Sequence, residues 1–154
     1  VTKTPSEDSC VIDEELGVFV SPEGDDESGD GSRADPYATL GKALGEAGTS
    51  AKRVYACADA GSFVESVALG AGANGIGMFG GFSCDDWSYD AESRSVVASP
   101  GTVALRVEGV EALVIDGFAF EAAAATEPGG SSVGALLVAS EGIVMRRVRL
   151  EAGA

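Results

Sequence analysis

Short apolar runs separated by Gly, Asn and Asp alternate along most of this chain, and one segment breaks the pattern with helical spacing. Leu16 to Ser21 (LGVFVS) is β-branched and aromatic and stops at Pro22, which predicts a strand entering a turn. Tyr37, Leu40, Ala43, Leu44 and Ala47 recur at three- and four-residue intervals and predict one apolar helix face. Asp35 can cap that helix, Pro36 suits its first position and Gly48 supplies a stop, so the expected helix spans residues 36–47. Further strands are expected at Arg53 to Cys57, Val64 to Leu69, Ile76 to Phe82 and Val96 to Ser99. The opening residues, Val1 to Cys10, are polar and without period, so residues 1–15 are expected to form a flexible tail ahead of a domain at 16–154.

The chain then repeats itself. Ala104 to Ala122 aligns with Ala135 to Ala152 if one residue is dropped near Gly142. The offset is about 31 residues before that gap and about 30 after it, a period typical of stacked repeats in which each copy supplies two strands and a bend. Alternation points Leu113 and Ile143, Ile115 and Met145, Phe118 and Val148, and Phe120 and Leu150 inward, with the bend at Asp116-Gly117. Outward positions would then stack Asp116 over Arg146 as a salt bridge and Glu121 over Glu151 as a mild repulsion, at a strand spacing of about 4.8 Å.

Composition narrows the chemistry. With 45% apolar residues, only 6% aromatics and 22 Gly, the expected interior is Val, Ala, Leu and Ile interrupted by turns. At 154 residues, one domain or a piece of one is expected rather than two independent cores. Ten Lys and Arg face 25 Asp and Glu, and a net charge of −15 disfavours nucleic acid and anionic membranes. Histidine is absent, which removes the His-dependent triads and the commonest transition-metal ligand. No stretch approaches the roughly 18 apolar residues of a membrane span. Cys10, Cys57 and Cys84 lack CxxC spacing, so one disulfide plus one thiol is the simplest arrangement.

Four stretches, GVFVSPEGD (Gly17 to Asp25), GSRADPYATLGKAL (Gly31 to Leu44), VYACADAGSFVESVAL (Val54 to Leu69) and MFGGFSCDDW (Met78 to Trp87), together with the later repeat, resemble the start of the pectin-lyase-like superfamily. The likeness is to bacterial surface proteins and lipoproteins in particular. It implies an all-β fold, a right-handed parallel β-helix, exported from the cell, with the short α-helix capping its N-terminal end. Such a cap makes physical sense, since the first coil would otherwise expose its apolar cross-section and strand edges. The superfamily includes lyases, hydrolases, adhesins and inert scaffolds, so the fold it implies is narrower than the function. The sequence stops in mid-pattern at Ala154, which suggests that further coils follow or that another chain covers the end.

Several side chains are candidates for chemistry. Asp25, Asp26 and Asp30, with Glu27 between them, form an acidic Gly-rich loop that could offer oxygens to calcium. The spacing matches no EF-hand, and Asp and Gly are also ordinary turn formers. Asp85-Asp86 beside Trp87 and Tyr89 joins paired carboxylates to aromatics able to stack on a sugar, although adjacent strand residues would point apart. Arg146, Arg147 and Arg149 are the densest basic cluster. In lyases of the resembled fold an arginine acts as base, and Arg146 and Arg149 are candidate contacts to an acidic sugar; they could equally neutralise Asp116, Glu121 and Glu151. In the proposed register Cys57 and Cys84 fall on successive coils, within reach of a disulfide that would add about 3 kcal/mol, while Cys10 could pair with either.

These features favour a non-enzymatic extracellular or cell-surface scaffold or binding module for an unknown ligand such as a polysaccharide. No catalytic set, cofactor site or nucleic-acid surface assembles from the sequence, and the loop at Ala122 to Ser132 is the expected contact surface. Two alternatives stand beside it. One is the N-terminal portion of a polysaccharide lyase or hydrolase with catalytic coils beyond Ala154. The other is a unit that self-associates as a homo-oligomer through its C-terminal strand edge.

Overall fold

The computed structural model describes residues 3–50 and 52–154. It is built mainly of strands in parallel sheets with one α-helix. The strands are β1 (Gly17–Val20), β2 (Arg53–Cys57), β3 (Val67–Leu69), β4 (Gly77–Phe82), β5 (Ser95–Ala98), β6 (Val103–Glu108), β7 (Glu111–Asp116), β8 (Phe118–Glu121), β9 (Val133–Val138), β10 (Glu141–Arg146) and β11 (Arg149–Glu151). Sheet I has the order β1-β2-β4-β7-β10, sheet II β3-β6-β9 and sheet III β5-β8-β11. Three successive passes of the chain, β3 to β5, β6 to β8 and β9 to β11, therefore each give one strand to sheets II, I and III in that order.

The helix, α1, spans Leu40–Ser50 rather than 36–47. Tyr37 is drawn into a parallel bridge with Val20, its N–H donating to the Phe19 carbonyl and its own carbonyl accepting from Ser21. That extended backbone cannot also be the first turn of a helix. The helix begins instead where its free N–H groups find carboxylate and hydroxyl partners. Asp26 accepts from the amides of Ala38 and Thr39, Thr39 Oγ1 accepts from Lys42, and Glu65 accepts from Leu40 and Gly41. Gly48 lies inside the last turn, and Leu40, Ala43, Leu44 and Ala47 bury the expected face against the first core.

The two long repeats stand in register with no gap. Leu105 pairs with Ala135, Leu113 with Ile143 and Phe120 with Leu150, an offset of 30 residues throughout. The one-residue slip suggested by matching Ala104 with Ala135 is therefore corrected. The cause lies in the turns. Left-handed backbone recurs at the same heights in both copies, at Gly109 and Ala139, Ala112 and Gly142, and Gly117 and Arg147. Glycine falls in the first copy at two of these heights and in the second copy at the other, so residue identity misaligns what conformation aligns. The bend at Gly117 falls where the sequence placed it, with φ +80° between β7 and β8. It also lies so close to Gly80 that a Cβ there would sit 2.6 Å from the Gly80 carbonyl oxygen.

Leu113, Ile115, Phe118 and Phe120 are buried as alternation requires, and Ile143, Met145 and Val148 pack on them half-buried. Leu150 occupies the matching inward position but, on the edge strand β11, keeps 47% of its surface exposed. The buried residues fall into two clusters that share sheet I. A second cluster of Ile12, Phe19, Tyr55, Cys57, Phe79, Phe82 and Trp87 lies on the opposite face of sheet I from Val18, Val20, Val54, Ala56 and Met78. Alternation along β1, β2 and β4 sends small aliphatics to one core and aromatics to the other.

The polar opening expected to be a free tail folds over that second core from Lys3 onward; Val1 and Thr2 lie outside the described residues. A 3₁₀ turn at Ser9–Val11 leads to buried Ile12, Tyr55 donates its hydroxyl proton to the Val11 carbonyl, and Arg33 donates to the Ile12 carbonyl. Ala112 should be the weak point of the left-handed columns, since a non-glycine residue at φ +62° carries about 1 kcal/mol of strain. Ala112→Gly is expected to raise stability by about 0.5–1 kcal/mol in urea unfolding, whereas a neutral or destabilising result would mean the strain is not there.

Candidate functional site

The acidic loop is occupied with its own backbone. Asp25 Oδ1 accepts from Glu27 and Ser28, Asp30 Oδ1 from Ser32, and Asp26 binds the start of α1, with its Oδ2 receiving the Thr39 hydroxyl at 2.6 Å. Hydrogen bonds from the Glu27 and Ser28 amides hold the Asp25 carboxyl below its ordinary value, and those from Ser32 do the same for Asp30. Burial works against ionisation of Asp26, but the Thr39 and Ala38 donors outweigh it and its pKa is also lowered. Among the described residues these carboxylates do not converge with others into a group of three or more metal-ligating side chains.

The second candidate separates in the same way. Asp86 accepts from the Ser88 amide, and the Asp85 amide donates to Ser83 Oγ, both within one exposed turn. Asp59, beside them, accepts from the Cys84 amide at 2.6 Å, so it too is engaged by the turn. Trp87 turns in at φ 59°, packs edge-on against Phe19 at 4.8 Å and donates its indole N–H to the Arg33 carbonyl. At 4% exposure it is a core residue with no face free for a ligand. Tyr89 is half-buried between Phe82 and the Arg147 guanidinium, which sits 5.0 Å above its ring.

Cys57 and Cys84 form a disulfide with Cα atoms 5.0 Å apart, as the expected register allowed, and Cys10 is free and exposed. The bridge fixes the loop after β4 to the end of β2, so that Trp87 closes the second core. Its 27-residue separation puts its stabilisation at about 3 kcal/mol.

The basic cluster divides by conformation. Arg146 is the ladder partner of Asp116, yet it does not pair with it. Arg147, one place further on and at φ 49° in the turn, takes that acceptor instead. Arg147 Nε reaches the buried Asp116 at 2.8 Å, and its Nη1 donates to the Ala91 carbonyl. The expected repulsion between Glu121 and Glu151 is also absent, because Arg149 bridges both at 3.0 and 3.2 Å.

Arg146 goes elsewhere. It lines a cavity of about 360 Å³ between the N-terminal segment and the outer face of sheet I, with Lys3, Lys52 and Arg53 around it and Phe79 and Val114 beneath. Glu7 also reaches this cavity; the Thr4 amide, then the Thr4 hydroxyl, hold its carboxyl below the ordinary value, and Arg146 and Lys3 add to this. Sequence reasoning found Arg146 alone of these residues. The others come from four separate segments, and no spacing in the chain links them. The loop at Ala122 to Ser132 lies apart from this cavity, tied at its end by Ser132 Oγ, which donates to the Ala123 carbonyl and accepts from the Gly153 amide.

Two outcomes follow for stability. Arg147→Met leaves a buried carboxylate without its partner and is expected to cost about 3 kcal/mol, against less than about 0.5 kcal/mol for Arg146→Met; equal losses by urea unfolding would refute the assignment. The lowered aspartates contribute stability that is present above their ordinary value of 3.8 and is lost as pH falls through their folded values. Glu65 acts oppositely: burial raises it, so its contribution is full below 4.5 and is lost as pH rises through its folded value. Urea midpoints taken from about pH 7 to about pH 3 should rise slightly and then fall, and Glu65→Gln should remove only the rise.

No family model matches the chain, and neither a curated protein nor a solved structure matches it.

Proposed function

We propose that this chain is a non-catalytic scaffold or binding module, built as the first passes of a right-handed parallel β-helix of the pectin-lyase-like kind and displayed outside the cell. The observation that carries the absence of catalysis is the use made of the acids. Asp25, Asp26, Asp30, Asp86 and Asp90 each bind a backbone amide of a turn or helix start, and Asp116 is spent on Arg147. Those five amide-bound aspartates are all held below the ordinary carboxyl value, the opposite of what a general acid requires.

The architecture supports the fold half of the reading. Each pass visits sheets II, I and III in the same order, and crossovers between parallel strands of one sheet are right-handed in nearly all proteins. A disulfide beneath an exposed loop suits an oxidising compartment and supports export.

The test is incubation of the folded protein with uronate-containing and neutral polysaccharides, with and without added calcium, while following the release of unsaturated and reducing ends. The expected result is no turnover above a heat-treated control. Turnover abolished by Asp86→Asn or Arg146→Gln would replace this reading with an enzymatic one.

A further inference from the structure

The chain has seven arginines, and among the described residues five of them donate hydrogen bonds: Arg33 to Ile12, Arg94 to Arg147, Arg106 to Glu108, Arg147 to Asp116 and Arg149 to Glu121. The other two, Arg53 and Arg146, donate no side-chain hydrogen bond to an acceptor among the described residues by distance and angle, and both line the same cavity. Among the described residues Arg53 Nη1 has no hydrogen-bond partner and almost no accessible surface; a rotation of the side chain would bring it to the cavity, and its guanidinium lies 5.6 Å above the Phe79 ring. A buried donor left unmade costs free energy, so its persistence calls for an acceptor.

Charge supports the same conclusion. In a protein of net charge −15, the 25 acids offer ample partners, yet four of the ten cations, Lys3, Lys52, Arg53 and Arg146, gather around one opening. Lys3 is partly neutralised by Asp8 at 3.1 Å, and Lys52 donates to the Glu14 carbonyl. Glu7 faces Arg146 but gives its Oε2 to Thr4; the Tyr55 hydroxyl lies within reach of Arg53, whose Nη1 still keeps its donors. Beneath them the floor is apolar, formed by Phe79, Val114 and Ile76.

We propose that this cavity is a binding site for a small molecule carrying an oxyanion, a carboxylate or a phosphate monoester, on an apolar body. Two guanidiniums can each grip such a group through paired N–H donors, which suits planar and tetrahedral oxyanions alike. The apolar body lies against Phe79 and Val114. At about 360 Å³ the cavity holds a ring with its anionic group and little more. The site uses no carboxylate as acid or base, so it is independent of the scaffold reading and adds a ligand to it.

The experiment is a titration of the ¹⁵N-labelled full chain with benzoate, phenyl phosphate and inorganic phosphate, following amide shifts. Expected are saturable shifts at Arg53, Phe79 and Arg146 with one or both aromatic probes, and weaker binding of inorganic phosphate. Benzoate alone would assign carboxylates, and phenyl phosphate alone phosphate esters. Arg146→Gln and Arg53→Gln should each weaken binding roughly tenfold or more, while Arg106→Gln on the far sheet should not. An absence of saturable shifts up to about 10 mM, or shifts unchanged in both arginine variants, would overturn the site. Equal affinity for inorganic and phenyl phosphate would overturn the apolar half of the assignment.

Discussion

Parallel strands that hydrogen-bond in register carry every residue of one pass to the same height as its counterpart in the next. In this protein the constraint acts in three sheets at once, so a turn in one pass must have the same length and shape as the turn beside it. This is why the left-handed positions stand in columns. Gly109 and Ala139, Ala112 and Gly142, and Gly117 and Arg147 share backbone conformation although their side chains differ. An alanine or arginine is held at positive φ because leaving it would break the ladder on both sides.

The same ladder distributes side chains. Sheet I alternates small aliphatics toward the first core and aromatics toward the second, where the N-terminal segment, the Cys57–Cys84 bridge and Trp87 complete the cover. Along the outward face of sheet I, Phe79 is the ladder partner of Asp116, which is in turn the partner of Arg146. The covered aromatic surface therefore gives way to charge as the passes proceed. Arg147 closes that transition by reaching Asp116 from the turn, and this leaves Arg146 free to face the cavity with Arg53.

The acids follow a different logic. Turns and helix starts leave amide hydrogens without partners, and short carboxylates two or three residues away are the nearest acceptors. Much of the negative charge that suggests calcium or catalysis in the sequence is therefore used in holding loops to shape. Asp26 and Glu65 extend the principle over longer separations by supplying acceptors to α1 from other parts of the chain.

The sequence by itself determined what depends on neighbours within a few residues. Alternation located most strands, including β2 residue for residue, and identified the inward series Leu113, Ile115, Phe118 and Phe120; helical spacing gave the buried face of α1. The bend at Gly117 and the Cys57–Cys84 pairing were legible from turn chemistry and the approximate period. Tertiary structure decided what depends on which groups meet. The start of α1 was set by the Tyr37 bridge and by remote carboxylates, the true register by backbone conformation rather than residue identity, and the partner of Asp116 by a turn residue one place beyond its ladder mate. The second core and the cation-lined cavity were invisible for the same reason: both join the N-terminal segment to strands far along the chain. Local periodicity carries no information about which distant face a polar segment will cover.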